Sequence, residues 1–318
     1  MEFFCKKTNE LSPEELQQIT ELYNEVMKKN VNKEFMFNQY VNNPFGFSYH
    51  SIVTDAGKIV GLSSYMPAYF WYKDKKCIFV NGTDSAISKH YRDFFTFFKV
   101  VTNAHKYLKE NEVALHYGYP NDKSCPVLVK GKLAKYIGKM DTYCLPYRIG
   151  GIKHSLAFLN WATIFFCQTW VFFNTLLASK KEAKFLIHKD LDTFNERRYK
   201  RFDGKYGKIN KNGNEFYYKI KEHEGVRTAF LIDVNPKSPR NFVDAIKYII
   251  NHHNKEFDLI LYPGKLPFAI TGMIKLPRRF EPKNFNMTCN ILNNALVDSE
   301  IIYDIKNWDT NLSNYDLI

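Results

Sequence analysis

The stretch "SAISKHYRDFFTFFKV", residues 85–100, decides the fold that we predict for this chain. Its first residues, up to Ile87, end an apolar run that is typical of a β-strand. A short polar turn follows, and beyond Arg92 apolar side chains recur at the spacing of an amphipathic helix, at Phe94, Phe97, Phe98, Val101, Ala104 and Leu108. A strand that runs through a turn into such a helix predicts a mixed α/β domain.

The segments on either side of this stretch support that prediction. In "LSPEELQQITELYNEVMKKN", residues 11–30, Ser12 is a candidate N-cap, Pro13 takes the first helical position and Glu15 completes a capping box. Residues 49–87 alternate apolar and aromatic runs with the turn signals "DAGK" and "KDKK", and "VALHYGYP" at 113–120 follows the second helix. Residues 1–150 are therefore predicted to form helix, antiparallel strands, helix and strand.

The second half of the chain repeats this pattern. "RDFFTFFKVVTNAHK" (92–106) and "RNFVDAIKYIINHHN" (240–254) align without gaps, and each precedes a strand that ends in Tyr-Pro, "ALHYGYP" at 114–120 and "DLILYP" at 258–263. The identical pairs are Arg92/Arg240, Phe94/Phe242, Lys99/Lys247, Asn103/Asn251 and His105/His253. A duplicated domain explains both the matches and their order relative to the strands.

An uncharged segment lies between the two copies. Residues 155–178, "SLAFLNWATIFFCQTWVFFNTLLA", are flanked by Lys153 and Lys180 and are long enough to cross a bilayer. Asn160, Thr163, Cys167, Asn174 and Ala178 share one helical face, which leaves three alternatives: a linker helix between domains, a membrane-interface helix and a true span. The prediction is a first domain at 1–150, a linker helix at 151–185 and a second, diverged domain at 186–318.

The composition limits the classes of partner. The net charge of +12 and pI near 9.2 suit an anionic partner, but the 45 Lys and Arg residues are spread along the chain. The richest basic run, residues 197–205, comes without any nucleic-acid-binding motif, so we predict a solvated basic face and no nucleic-acid partner.

The six cysteines form no CxxC pair and the nine histidines show no ligand spacing, so no metal site is predicted. No secretion signal is apparent, and we expect a cytoplasmic protein with the option of contact with the inner face of the membrane through 155–178.

Several short motifs resemble one family. "DSAISKHYRDFFTFFKVVTNAHKYL" (84–108) is similar to the strand, pyrophosphate loop and helix of the GNAT acyltransferase superfamily, and "NNPFG" (42–46), "GKIVG" (57–61) and "GYPNDKS" (118–124) add to the resemblance. The C-terminal "NWDTNLSNYDLI" (307–318) is similar to the ending of tandem members. The resemblance implies two tandem GNAT-like domains, each a central mixed β-sheet flanked by helices.

The same resemblance implies an activity. It points to an acyl-CoA-dependent N-acyltransferase, with acetyl-CoA as the donor and a small amine such as an amino sugar as the acceptor, which attacks the thioester directly. Donor contacts would come from Ile87, Arg92, Phe94, Phe95 and Asn121, and the candidate catalytic residues are Asp84, His116 and Tyr119. The second domain would shape the acceptor cleft.

The loop also departs from the family pattern. Phe95 and Phe97 stand where the motif has small residues, and Asp93 lies in the first turn of the helix, where a carboxylate repels a diphosphate. The alternative is therefore a catalytically degenerate GNAT-fold binding or scaffold protein, with membrane association through 155–178. A third hypothesis, aminoacyl transfer from charged tRNA, fits the duplication and the basic charge.

Overall fold

A computed structural model describes residues 1–199, 205–211, 213–281 and 283–315, so most of the basic run at 197–205 lies outside the described residues. The chain divides into two compact units, and each unit is built from three separate segments. The first comprises Met1–Lys139, Leu186–Gly204 and Asn286–Asp309, and the second Met140–Phe185, Lys205–Phe285 and Thr310–Ile318.

The first unit is a mixed sheet with helices on both faces. Its strands are β1 (Glu2–Lys7), β2 (Tyr49–Asp55), β3 (Lys58–Tyr72), β4 (Lys75–Ile87), β5 (Leu115–Gly118), β6 (Lys135–Lys139), β8 (Ile187–Lys189) and β14 (Asn286–Ile291). Its helices are α1 (Pro13–Met27), α2 (Lys33–Val41), α3 (Phe94–Glu110), α4 (Ser124–Lys130), α7 (Leu191–Arg198) and α9 (Ser299–Ile302). The sheet order is β1-β2-β3-β4-β5-β14-β6, with β8 paired to β3.

Two helices of this unit begin where their side chains satisfy free backbone amides. The Ser12 hydroxyl accepts a hydrogen bond from the Glu15 amide, and the Glu15 carboxylate accepts one from the Ser12 amide, which is the predicted capping box of α1. At the start of α3 the N-cap is Asp93, and its carboxylate accepts from the Thr96 amide. The sequence placed both helices correctly.

Alternation along the strands separates two layers of helices. Ile52 and Leu62 pack with α1 and α2 in one apolar cluster, whereas the next residue after Ile52, Val53, packs with Val100 of α3 in another. Successive side chains of a strand point to opposite faces of the sheet. Helices α1 and α2 therefore cover one face of the sheet and α3 covers the other.

The second unit contains a second mixed sheet in the order β13-β7-β12-β11-β10-β9. Its strands are β7 (Asp141–Pro146), β9 (Gly207–Lys211), β10 (Asn214–His223), β11 (Val226–Asn235), β12 (Leu259–Gly264) and β13 (Ile274–Lys275). Its helices are α5 (Ile149–Ile152), α6 (Asn160–Leu177) and α8 (Pro239–His253). The apolar core of this unit gathers residues from α6, α8 and the strands, including Cys167, Val171, Phe242 and Ile260.

The predicted duplication is present in the connectivity. In the first unit β4 leads through α3 to β5, which pairs parallel with β4. In the second unit β11 leads through α8 to β12, which pairs parallel with β11. Each copy also carries an antiparallel hairpin before its helix, β3-β4 and β10-β11 respectively. The fold class is thus the predicted one: mixed α/β, in two similar units.

The structure divides the chain differently from the predicted boundaries at 150 and 185. Strand β7 pairs with β12, so the second unit already begins at Met140, and α6 packs within that unit instead of forming a separate linker. Strand β14 returns to the first unit, where it lies between β5 and β6. Strand pairing joins residues far apart in the chain, so a division into consecutive segments could not capture it.

Candidate functional site

The candidate site of the first unit lies where β4 and β5 separate. The two strands pair from Phe79/Leu115 to Gly82/Gly118, and β5 ends there. Strand β4 continues to Ile87, paired on its other side with β3. From Thr83 onward β4 therefore presents an edge that β5 does not cover, and an extended ligand can add to such an edge as a further strand would.

His116 lies at the point of separation. A Cβ atom placed on Gly82 would lie 2.6 Å from the His116 Nε2 atom, and one on Gly118 would lie 3.7 Å from it. Because the imidazole occupies this space, a side chain at Gly82 would collide with it. Tyr65 packs edge-on against the ring at a centroid distance of 4.9 Å. The Nε2 atom of His116 is therefore held over the last paired residues before the strands part.

Two further side chains set the tautomer of His116. The Asn290 amide nitrogen lies 3.2 Å from His105 Nδ1, and His105 Nε2 lies 3.1 Å from His116 Nδ1. An amide nitrogen can only donate, so His105 Nδ1 accepts and its Nε2 carries the proton. His116 Nδ1 then accepts in turn. In this tautomer the proton of His116 is on Nε2, the atom that lies over Gly82 and Gly118, where β4 and β5 begin to separate.

Burial keeps both rings uncharged. It lowers the pKa of His105 to about 4 and that of His116 well below its usual value, and His105 adds to the second shift. His50, which is also buried and bonded to Thr8 and Ser64, has its pKa lowered by burial to about 3. A neutral imidazole is a hydrogen-bond donor and acceptor but not a cationic acid at neutral pH.

These histidines predict a loss of stability in acid. A group whose pKa is lower in the folded than in the unfolded state binds more protons when the chain unfolds. Its contribution to the free energy of unfolding is therefore complete above pH 6.5 and is lost as the pH falls toward 4. In this pH range, each of His50, His105 and His116 is expected to contribute at most about 1.4 kcal/mol per pH unit to the slope of the unfolding free energy against pH. Denaturant titrations between pH 7 and pH 4 measure the slope, and a His50→Gln variant should reduce it by one histidine's share. An unchanged slope in that variant would contradict the assignment.

Asp84 and His116 are not brought together. Asp84 lies two residues before Ala86, which packs in the cluster of α1 and α2, and its carboxylate accepts a hydrogen bond of 2.7 Å from Gln39 of α2. His116 contacts α3, on the other face of the sheet. The two predicted catalytic side chains therefore face opposite layers. Val80, which pairs with His116, and Asp84 are an even number of residues apart, so alternation alone would place both side chains on one face. The register shift between the pairs Tyr65/Gly82 and Ser63/Ser85 adds one residue to β4 and reverses the face beyond Gly82.

The other predicted residues near the end of β5 occupy different environments. Tyr119 is half-buried and packs against Tyr117 at a centroid distance of 6.1 Å. Asn121 is exposed, and its side-chain oxygen accepts from the amides of Lys123 and Ser124 at the start of α4. The Asn121 side-chain oxygen thus closes the turn that leads into α4, as asparagine often does in turns.

At the end of β4 two of the predicted donor-binding residues, Ile87 and Arg92, contact each other. The Arg92 guanidinium donates to the Ile87 carbonyl through Nε and Nη2, at 3.2 and 3.0 Å. Phe94 and Phe95 are 55% and 61% exposed, and Lys99 lies over the Phe95 ring at 4.7 Å. Arg92 as a whole is exposed.

The amides at the start of α3 already have a carboxylate partner. Asp93 Oδ1 accepts from the Thr96 amide at 2.8 Å, and Oδ2 accepts from the Thr96 hydroxyl at 2.7 Å. These bonds, together with the Phe95 amide, lower the pKa of Asp93. The helix N-terminus thus carries a fixed negative charge where a diphosphate would need free amides. The residues present do not fit a diphosphate at this position.

The surface next to this turn is acidic as well. A pocket of 230 Å³ is lined by Glu21, Glu25, Asp55, Lys58, Ser88 and His90, among others. Glu25 accepts from the Ser88 hydroxyl and Asp55 from the Tyr91 hydroxyl, which ties two of the carboxylates to the turn between β4 and α3. Three carboxylates beside the turn add to the repulsion of an anionic ligand.

In the second unit the corresponding opening is filled by the chain itself. Strands β11 and β12 pair only from Thr228/Leu259 to Phe230/Leu261, and the segment that contains the 3-10 helix Leu312–Asn314 contacts both strands beyond that point. Asn311 and Ser313 donate to the buried Asp233 carboxylate of β11 at 2.7 and 3.2 Å. Among the residues of the second unit that the structure describes, there is therefore no equivalent open edge.

Sequence reasoning missed Gly82, His105 and Asn290. His105 was visible as a repeated residue, but its counterpart His253 bonds to the Tyr218 hydroxyl of β10, so the repeat gives no common role. Asn290 reaches the site only because β14 pairs with β5, with Asn290 opposite His116. Within the described residues, no group of three or more His, Cys, Asp or Glu side chains is arranged to hold a metal ion.

Comparisons with known proteins agree with this architecture. No family model matches the sequence, and no curated protein matches it significantly. Among solved structures, the chain is similar to a GCN5-related N-acetyltransferase from Anabaena variabilis, with a TM-score of 0.60 and 11% identity, over 92% of this chain and 73% of that one.

Two further structures show the same likeness. Eis1 from Mycobacterium abscessus has a TM-score of 0.55 at 8% identity, over 92% of this chain and 74% of that one. A protein from Enterococcus faecalis, described as a probable N-acyltransferase, has a TM-score of 0.54 at 10% identity, over 92% and 73%. At these identities the likeness establishes a shared fold, as the sequence resemblance predicted.

Proposed function

We propose that this chain, which has the fold of the GCN5-related N-acetyltransferases, transfers an acyl group from a thioester donor to a small primary amine, with an amino sugar as one candidate acceptor. The observation that carries the proposal is the opening between β4 and β5 beyond Gly82 and Gly118, with the His116 Nε2 atom held over these two glycines at its base. The fold of the comparison structures supports the same class of reaction.

The opening suits the reactive end of an extended thioester. The amide groups of a pantetheine arm can pair with the uncovered edge of β4, as an added strand would. The thioester carbonyl would then lie near the last paired residues, where His116 Nε2 is held. When an amine attacks that carbonyl, negative charge develops on its oxygen, and a fixed neutral N–H donor in a buried site stabilises that charge.

His116 acts in this proposal as a donor and not as a base. Its low pKa makes the protonated ring unfavourable at neutral pH, and the bonds from Asn290 through His105 keep the proton on Nε2. The new C–N bond forms as the nitrogen attacks, and the C–S bond breaks when the carbonyl re-forms. The nitrogen loses one proton and the leaving thiolate gains one, so the products are an amide and a free thiol. His105 and Asn290 are positioning residues, because they act through His116.

The diphosphate end of acetyl-CoA is not expected to bind at the start of α3, since Asp93 already accepts a hydrogen bond from an amide there. We propose that acetyl-CoA serves as a donor mainly through its thioester and pantetheine arm. Acetyl-CoA and S-acetylpantetheine, which lacks the diphosphate, should then support similar values of kcat/KM, within about threefold. A working diphosphate cradle would favour acetyl-CoA by about a hundredfold, since its charged hydrogen bonds contribute about 1.5–3 kcal/mol each.

The test measures thiol release with a panel of primary amines, including amino sugars, for both thioesters. Thermal shift in parallel reports binding, because a ligand of the folded state raises the melting temperature. Transfer from both donors at similar efficiency supports the proposal. If neither thioester shifts the melting temperature at millimolar concentration and no thiol is released, the enzyme proposal is wrong.

Removing the charge of Asp93 should improve acetyl-CoA binding. Asparagine caps helices as well as aspartate does, so Asp93→Asn keeps α3 intact while it removes a carboxylate that repels the diphosphate. We expect a roughly tenfold lower Kd for acetyl-CoA by calorimetry and no change for S-acetylpantetheine. Asp304→Asn is the matched control, because Asp304 is also an exposed cap, bonded to the Lys306 amide. Equal effects of the two variants would contradict the prediction.

A second candidate function is a GNAT-fold binding protein without catalysis. The observations that favour it are the occupied amides at the start of α3 and the Arg92 guanidinium bonded to Ile87. Under this alternative the opening between β4 and β5 would be a remnant of the fold, and His116 a satisfied core residue. The thioester assay separates the two functions directly.

A further inference from the structure

Helix α6 of the second unit has an inverted distribution of side chains. Its polar and small residues face the core, whereas large apolar residues face outward. Trp161 is 73% exposed, Phe165 67% and Phe172 59%. The other outward residues on or next to this helix are Phe158, Phe166, Trp170, Phe173, Leu176 and Leu177. Exposed apolar patches of this kind are uncommon on soluble domains and indicate a surface that meets an apolar partner.

The inward face of α6 is fixed to its own unit. Cys167, Val171 and Asn174 are buried against the core, and Gly272 donates to the Asn174 side-chain oxygen at 3.3 Å. Thr163 donates to the Tyr147 carbonyl at 3.1 Å, and Arg240 of α8 donates to the Thr175 carbonyl at 3.3 Å. Contacts along the whole length of the helix hold it on the folded unit.

The ends of α6 are basic. Lys153 precedes the apolar stretch, and Lys180, Lys181 and Lys184 follow it, all of them exposed. Glu182 is the first acidic residue after Asp141, so the sequence between these two positions contains no carboxylate side chain. Lysines at both ends of an aromatic surface complement anionic lipid headgroups around an apolar layer.

The packing favours a helix that lies in the membrane plane. Within the described residues, one helical stretch, His154–Leu177, is long and apolar enough to cross a bilayer by length and composition. However, a span would have to take the polar contacts of Thr163 and Asn174, and the unit they join, into the hydrocarbon. A helix that keeps one face on its unit can still bury its opposite face about 5–10 Å into the lipid interface.

We propose that the exposed aromatic face of α6 docks the protein on an anionic membrane surface, with the flanking lysines at the level of the headgroups. The inference does not depend on the proposed acyl transfer. A second copy of this chain would also cover an apolar face, but it would bring the lysines of two copies together without a complementary acidic surface on α6. The basic flanks therefore favour lipid over self-association.

The test is co-sedimentation of the full chain with vesicles. Phosphatidylcholine vesicles that contain phosphatidylglycerol should bind the protein, and vesicles of phosphatidylcholine alone should bind it more weakly. Phe172→Asp should weaken binding about tenfold or more, because it places a carboxylate in the apolar face. Phe280→Asp is the matched control, because Phe280 lies in the same unit and is also 59% exposed. This variant should bind vesicles as the unchanged protein does.

A second variant tests the charge separately. Lys180→Gln/Lys181→Gln keeps the aromatic face and should lose about fivefold in affinity for each lysine, only with anionic vesicles. Fluorescence gives a direct readout of depth, since Trp161 lies at the exposed face and should be quenched by brominated lipid. Circular dichroism and melting temperature confirm that the variants are folded.

The vesicle and ultracentrifugation results together decide whether α6 docks on a membrane or on a second copy of the chain. Retention of the unchanged protein in the supernatant with anionic vesicles overturns the proposal, and so does equal weakening by Phe172→Asp and Phe280→Asp. Analytical ultracentrifugation tests the rival occupant. A stable dimer that Phe172→Asp converts to a monomer, together with no vesicle binding, would show that a second copy covers the face.

Discussion

Replacing His116 with leucine is expected to lower kcat for acyl transfer by about 10²–10³-fold, the usual effect of removing one donor from a developing oxyanion. Leucine fills a similar volume but cannot donate a hydrogen bond, and it leaves the His105 Nε2–H without its acceptor. The KM for the thioester should change little, because the lost interaction strengthens only in the transition state. Steady-state kinetics with both thioesters measure the effect.

His50→Leu is the control for this variant. His50 is as fully buried as any histidine of the first unit and bonds to Thr8 and Ser64, away from the opening between β4 and β5. Both variants should lose stability to a similar extent, since each leaves a buried partner unsatisfied. A fall in kcat for both would mean that folding and not chemistry was affected, and an unchanged kcat for His116→Leu would remove its assigned role.

His105→Gln distinguishes a positioning residue from a packing residue. The glutamine amide can still donate to His116 Nδ1, so kcat should be largely retained. His105→Leu removes that donor, frees the tautomer of His116 and should lower kcat while the KM for the thioester stays constant. Rescue by glutamine but not by leucine is the signature that a purely structural role would not produce.

The largest expected effect on stability is that of Asp233→Ala in the second unit. Its carboxylate is fully buried, and Lys237, Asn311 and Ser313 all donate to it, with the Lys237 nitrogen at 2.8 Å. Alanine removes a carboxylate that the buried Lys237 ammonium contacts. Breaking one partner of a buried ion pair costs about 3–5 kcal/mol, so the free energy of unfolding should fall by that amount. Guanidinium denaturation measures it through the midpoint and slope of the transition.

Two further variants define the cause. Asp244→Ala removes the acid of a half-exposed pair with Arg240, one helical turn apart on α8, and should cost at most about 0.5 kcal/mol. Asp233→Asn/Lys237→Met removes both charges and should recover much of the loss. If Asp233→Ala costs no more than Asp244→Ala, the buried cluster does not hold the C-terminal segment against β11.

This cluster also explains why one duplicated opening remains and the other does not. In the second unit residues 310–315 fill the space beyond the β11/β12 pairing and are bonded to Asp233. In the first unit β14 adds to the far edge of β5 and leaves the side that faces β4 beyond Gly118 uncovered. The two copies therefore share a topology, but within the described residues the edge of the strand that leads into the helix is covered in the second copy and uncovered in the first.

The sequence by itself determined the local elements and their repetition. The capping box at Ser12, the spacing of apolar residues after Arg92 and the alternation at 49–87 depend on interactions within a few residues, and α1, α3 and β2 to β4 formed as predicted. The repeated helix and strand predicted two units of the same fold. Even the face of α6 that carries Asn160, Thr163, Cys167 and Asn174 was identified from spacing.

Only the tertiary structure decided which groups meet. Asp84 and His116 were both predicted to approach the gap between the strands, but a one-residue register shift in β4 between Gly82 and Ser85 turns the Asp84 side chain to the opposite face of the sheet. Asn290 reaches His105 because β14 inserts beside β5, and the polar face of α6 turns inward because Tyr147 and Gly272 supply its hydrogen-bond partners. These contacts join residues remote in the chain, and their energies depend on distances that spacing along the sequence does not contain.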